Sequence, residues 1–206
     1  MSTVLILADF SGDKATKTTA ELATAGARIG DVTAVVLAAP GAGAALAATV
    51  NQGPIAKVVV VESADFASCG VPAAADALAQ IAKSLSASTV LVASHAFGKE
   101  VAARVAVALE SGIITDAIDL AADLTATQSV FGGSTTVKSK VSHGTSVITV
   151  RPNSVEADFS ASTPAIENGT ATVSADAKKA KVSSSQPPVK GGRPELAEAN
   201  IVVSGG

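Results

Sequence analysis

Four short stretches of this chain pair residue types with a spacing that could do chemistry. Pro40-Gly-Ala-Gly43 follows an apolar run, and Glu62 stands about 20 positions on. Glycines that admit a pyrophosphate to backbone amides, with an acid for a ribose hydroxyl, make a dinucleotide fingerprint. Here Leu46 fills the third small position, and the loop follows the second predicted strand rather than the first. The match therefore fails on packing grounds. Phe10-Ser-Gly-Asp-Lys-Ala-Thr-Lys-Thr-Thr19 has the polarity of a phosphate loop, but Thr16 occupies the place of the glycine required before Lys17. A polar loop capped by Thr or Asp before a helix is the better reading. Its expected place is the carboxyl edge of a sheet, where open α/β folds bind ligands.

Ser94-His-Ala-Phe-Gly-Lys-Glu100 also runs from a strand into a helix. Its helix start could hold an anion with help from Lys99 or Arg104, and His95 could move a proton near neutrality. No Cys or carboxylate cluster accompanies His95 with metal-ligand spacing, and His143 sits far along the chain in a predicted turn. Ser94 and His95 are adjacent in a predicted strand and so point to opposite faces, which excludes a catalytic pair. Cys69, beside Gly70 in a predicted loop, reads as an incidental thiol. No catalytic residue and no metal ligand is assigned. The fourth stretch, Ile201-Val-Val-Ser-Gly-Gly206, is a β-branched run opening into a glycine pair. Nucleotide-binding α/β domains begin this way, because glycines let backbone amides approach a phosphate closely.

Regular elements must position these loops. Val4–Ala8, Val32–Ala38, Lys57–Val61 and Thr89–Ala93 are continuous apolar runs, as strands of a parallel sheet covered on both faces require. Between them, Leu78, Ile81 and Leu85, and then Val101, Val105, Ala108 and Leu109, recur at helical spacing. Pro72 suits a first helical turn and Gly112 the C′ position after the second helix. The fold class predicted is α/β, a mostly parallel sheet sandwiched by helices, with an added β-hairpin and edge-strand region in the second half. That region rests on Ser129–Phe131, Thr135–Val141 and Ser146–Val150, separated by Gly132-Gly133 and His143-Gly144. These strands are expected to extend the parallel sheet or to form a small antiparallel layer at its edge. Residues 153–175 are expected to add one or two edge strands.

Composition excludes several function classes. The 206 residues carry a net charge of −3, so neither nucleic acid nor an anionic membrane is an expected partner. Aromatics are 2% with no Trp or Tyr, which removes stacking platforms for bases and sugars. One cysteine excludes an internal disulfide and fits a reducing, cytoplasmic setting. The uncharged stretch 32–56 is broken by Pro40, Gly41, Gly43 and Asn51-Gln-Gly-Pro54, so it reads as strand, turn, helix, turn, with no membrane insertion. From Asp176 to Arg193 the lysines, Ser183-Ser-Ser185 and Pro187-Pro188 read as a solvated linker.

Three stretches resemble the alpha subunit of the electron transfer flavoproteins. They are Val90–Ala106 through Ile113-Ile-Thr-Asp116; Phe131-Gly-Gly through Thr136-Val-Lys and Val147-Ile-Thr-Val-Arg-Pro-Asn153; and Gly192-Arg-Pro-Glu-Leu with Ala199–Gly206. The resemblance implies an N-terminal α/β domain over 1–175 that pairs with a similarly folded beta subunit. It implies a hinge over 176–198 and, over 199–206, the first strand of a C-terminal FAD domain whose remainder this chain lacks. No flavin is then expected on this chain alone, although Gly205 and Gly206 would adjoin the FAD site. The same resemblance implies an electron carrier rather than an enzyme, taking electrons from acyl-CoA and related dehydrogenases toward the respiratory chain. Two rivals are a free-standing nucleotide-binding α/β domain, with its ligand over Asp9–Lys17 and Ser94–Lys99, and a small enzyme using His95.

Overall fold

A computed structural model describes residues 2–186 and 201–205. In chain order the first half comprises β1 (Thr3–Leu7), β2 (Phe10–Ser11), β3 (Lys14–Ala15), α1 (Lys17–Ala27), β4 (Asp31–Ala38), α2 (Gly43–Thr49), β5 (Lys57–Glu62), α3 (Asp65–Cys69) and α4 (Val71–Ser84). There follow β6 (Thr89–Ala93), α5 (Ala96–Ala108), β7 (Ile113–Leu120), β8 (Ala126–Val130), β9 (Thr135–Ser139), β10 (Ser146–Val150) and β11 (Ala165–Asn168). Among the described residues nine strands form one sheet in the order β11-β5-β4-β1-β6-β10-β7-β8-β9, while β2 and β3 make a separate small hairpin.

From β11 to β7 every pairing is parallel; β7-β8 and β8-β9 are antiparallel. The four predicted apolar runs are β1, β4, β5 and β6. Alternate residues feed two cores, as the two-residue period of a strand dictates. Val4 and Ile6 of β1 pack on one face with Leu22 and Ala23 of α1. Leu5 and Leu7 pack on the other with Leu78 of α4 and Val101 and Val105 of α5. Almost every side chain here is aliphatic and small, so the helices come close to the sheet. Gly98 marks the limit of approach, because a Cβ there would lie 1.9 Å from the carbonyl oxygen of Ala93.

Three expectations need correction. Ser146–Val150 is not at an edge: β10 lies between β6 and β7, parallel to both, with all five residues buried. Its run Ser-Val-Ile-Thr-Val was read with the hairpins because it follows a turn, yet burial on both faces is what a central parallel strand needs. The helix α5 ends at Leu109, and Glu110 with φ 50° takes the left-handed position expected of Gly112. Cys69 closes α3 and is buried, rather than sitting in a loop. The predicted edge strand exists as β11, paired with β5. The hairpin exists as β8 and β9, with Phe131 in its turn.

After β11 the chain straps back over α3 and α4. Val173 and Ala177 bury against Cys69 and Ala73. Lys178 lies 2.9 Å from Asp65, and the amide of Val182 donates to the carbonyl of Ser68 at 2.8 Å. The start of the expected linker, up to Val182, is therefore held on the body. Most of the remaining hinge expectation, 187–198, and Gly206 lie outside the described residues. Ile201–Gly205 forms no regular element, with Ile201 and Val203 exposed.

Candidate functional site at the carboxyl edge

Parallel strands bring their carboxyl ends to one side of the sheet, so the loops after β4, β1 and β6 gather there. The structure closes the first. The amides of Gly41 and Gly43 donate to the Glu62 carboxylate at 3.0 and 2.7 Å. These bonds, Gly41's first and then Gly43's, hold the Glu62 carboxyl below its ordinary range. The acid that spacing placed opposite a ribose instead occupies the amides themselves. Gly43 is required for a packing reason: a Cβ would lie 2.3 Å from Val60 Cγ1.

The loops after β1 and β6 meet at the point where the sheet order reverses direction. Thr16 Oγ1 donates to Asp9 Oδ2 at 2.8 Å, and Asp9 N donates to Thr19 Oγ1 at 2.9 Å, which folds the Phe10–Ala15 hairpin back onto α1. His95 caps α5 by accepting from Gly98 N at Nδ1, 3.1 Å away. That assigns the imidazole hydrogen to Nε2, which then donates to Asp9 Oδ1 at 3.2 Å. Burial raises the Asp9 pKa, but the hydrogen bonds from His95 and Thr16 outweigh it and leave the group below its usual value. Beside this pair is a pocket of about 400 Å³ lined by Phe10, Phe66 and Phe97 as well as Asp9 and His95.

Ser94 turns the other way, into a closed ring of hydrogen bonds. Its hydroxyl donates to Asp116 Oδ1, Asp116 N donates to Thr149 Oγ1, and Thr149 Oγ1 donates back to Ser94 Oγ, each at 2.9 Å. Arg151 closes the outer side, with Nε 3.1 Å from Asp116 Oδ2 and a second donor on the Ser129 carbonyl at 3.1 Å. Arg151's hydrogen bond, helped by Ser94's, holds Asp116 below the carboxylate norm against a smaller effect of burial. The acceptor of the Ser94 proton is thus a carboxylate that Arg151 holds as a weak base, which gives the hydroxyl little activation. The cations expected to hold an anion are both paired: Lys99 is 3.6 Å from Asp116 and Arg104 is 3.0 Å from Glu100.

Asp116 has φ 63° and sits at the bulge where β7 shifts register against β10. Thr115-Asp116 thus lies in the middle of a strand, bent so that the Asp116 carboxylate faces Ser94 and Arg151. Glu21 is a second residue that sequence reasoning missed. It is 1% exposed, accepts from Asn153 N at 2.9 Å, and lies 3.2 Å from Lys17 Nζ. The signal was present, a glutamate on the buried face of α1 four residues after a lysine. Gly205 is exposed and apart from all of these groups. Among the described residues no cluster of acids, histidines and cysteines suits a metal ion, and no helix is long and apolar enough to cross a membrane.

A family description, the electron transfer flavoprotein domain, matches residues 4–185. The chain belongs to the electron transfer flavoprotein family. Its relatives include the electron transfer flavoprotein subunit alpha of Mycobacterium leprae, 36% identical over 100% of this chain and 64% of that protein. The subunit alpha of Mycobacterium tuberculosis (strain H37Rv) is 38% identical over 77% of this chain and 50% of its own length. That of Syntrophomonas wolfei is 31% identical over 92% and 60% respectively. The chain therefore spans between 50% and 64% of the length of these flavoprotein relatives. Both resemblance stretches in the body fall within the matched family region, and the Ser94–Asp116–Thr149–Arg151 ring joins them in space.

Proposed function

We propose that this chain is the subunit-pairing scaffold of an electron transfer flavoprotein alpha subunit. Residues 1–175 would pack against the beta subunit, 176–198 would serve as the hinge, and 199–206 would begin the FAD domain, with Gly205 and Gly206 adjoining its cofactor. The complete protein would be a cytoplasmic electron carrier without substrate chemistry of its own. It would take electrons from acyl-CoA and related dehydrogenases and pass them toward the respiratory chain. In such a carrier the flavin supplies the redox chemistry and the protein supplies its placement and access.

The observation that carries this reading is the match to an alpha subunit along the whole of the chain. The carboxyl edge supports it. The amides of Gly41 and Gly43 are taken by Glu62, and Ser94 and Asp116 are taken by each other and by Arg151. These groups behave as braces of a platform. The test is co-expression with an electron transfer flavoprotein beta subunit. The expected result is a copurifying pair from which the 206-residue chain, once separated, shows no stoichiometric flavin absorbance in the visible. A flavin retained by the separated chain would overturn the assignment of FAD beyond Gly206.

A further inference from the structure

Among the described residues, the pocket at the carboxyl ends of β1 and β6 is polar, aromatic and unassigned. Three of the chain's five phenylalanines, Phe10, Phe66 and Phe97, line it, in a sequence with no Trp or Tyr. Phe97 is 43% exposed, and its ring centroid lies 6.4 Å from that of His95. Phe97 thus leaves apolar aromatic surface open beside a carboxylate.

The charge in the pocket decides what fits. Asp9 is its only carboxylate, and no lysine or arginine lines it. His95 does not cancel that charge, because Nδ1 accepts from Gly98 N and only Nε2 carries hydrogen toward Asp9. The Asp9 carboxylate accepts from His95 at Oδ1, from Thr16 at Oδ2 and from the Phe10 amide, which leaves one of its about four lone-pair positions for a guest donor. A phosphate would meet repulsion here. A planar cation would be attracted by the carboxylate and by the faces of the phenyl rings together. Guanidinium is flat, weakly hydrated and able to stack and donate at once, whereas ammonium is compact and strongly hydrated. A mouth between two surface loops, with about 400 Å³ of space, suits an anchor side chain of a docked protein.

We propose that this pocket receives an arginine side chain presented by a partner protein, its guanidinium against the phenylalanines and donating to Asp9. Nothing in this chemistry requires a flavin or a particular subunit, so it stands or falls apart from the flavoprotein reading. The probe is Nα-acetyl-arginine methylamide, titrated into the full chain and followed by the NMR signals of the His95 ring and the Phe97 amide. Saturable shifts are expected, with a dissociation constant on the order of 1 mM. The neutral citrulline analogue should bind about tenfold more weakly, as should arginine to Asp9→Asn. Phe97→Ala changes an exposed side chain and keeps the fold, and it too should weaken binding severalfold. Equal binding of the citrulline analogue, unchanged affinity in Phe97→Ala, or no saturable shift in the folded protein would overturn the proposal. So would AMP occupying the pocket in place of arginine.

Discussion

The strands β4, β1 and β6 and the arm of β8 and β9 belong to one sheet, yet different forces hold them. In the first group the strand residues are almost all buried, and both faces are covered by α1, α2, α4 and α5. In the arm, four of the five residues of β9 are exposed, Val137 among them, as is Phe131 in the turn. Apart from the buried Ala126, the arm's side chains tie it to the body through polar groups: Arg151 donates to the Ser129 carbonyl, and Gln128 Nε2 to the Thr115 carbonyl at 2.7 Å. Burial holds the centre, where any aliphatic residue of the right volume serves. Directional bonds hold the periphery, where identity matters.

That contrast can be broken from both ends. Ile148→Ala, in the wholly buried β10, should cost about 2–5 kcal/mol in a denaturant titration, and a cost below about 1 kcal/mol would show that the centre is not close-packed. Gly43→Ala forces a methyl against Val60 and the Glu62 carboxylate, and should cost about 1–3 kcal/mol through overpacking. Arg151→Ala removes hydrogen bonds to Asp116 and Ser129, and should cost about 1–2 kcal/mol while loosening amide protection in β8 before that in β6. Uniform loss of protection across the sheet would place Arg151 in the central core rather than at the tie of the arm. Phe131→Ala, on the exposed turn of the arm, should stay within about 0.5 kcal/mol in the isolated chain.

Acid sharpens the same comparison. Asp116 has its pKa lowered by Arg151 and Ser94, so the folded form binds its proton less readily than the unfolded chain does. The stabilisation is complete above the unfolded value, about 3.9, and is lost as pH falls through the lower folded value. Protection in the arm should therefore decline on acidification earlier than protection in β1 and β4. Arg151→Ala should flatten that acid limb. An acid limb unchanged in the variant would mean that other carboxylates carry it.

Much of this architecture was legible before any coordinates. Val4–Ala8, Val32–Ala38, Lys57–Val61 and Thr89–Ala93 became β1, β4, β5 and β6 with boundaries shifted by no more than one residue. Their shortness and β-branched content favour strands over buried helices, and their continuity requires cover on both faces. β10 was harder, because Ser146–Val150 follows a turn as hairpin strands do, and only the return of the chain from β9 into the slot between β6 and β7 distinguishes it. The failure of the dinucleotide fingerprint was also readable at Leu46, but the occupation of its amides by Glu62 was not.

The chain's residues alone determined an aliphatic, doubly covered parallel sheet with a hairpin beside it, because side-chain periodicity and volume act locally along the strand. Tertiary structure decided which polar groups would be spent on one another. Asp116 finds Ser94 and Arg151 across 22 and 35 residues of sequence, and Asp9 finds His95 across 86. Strand order and a single bulge set those encounters, and no local pattern encodes them. The pocket between Asp9 and the phenylalanines exists for the same reason, at the one place where neighbouring loops leave the sheet in opposite directions.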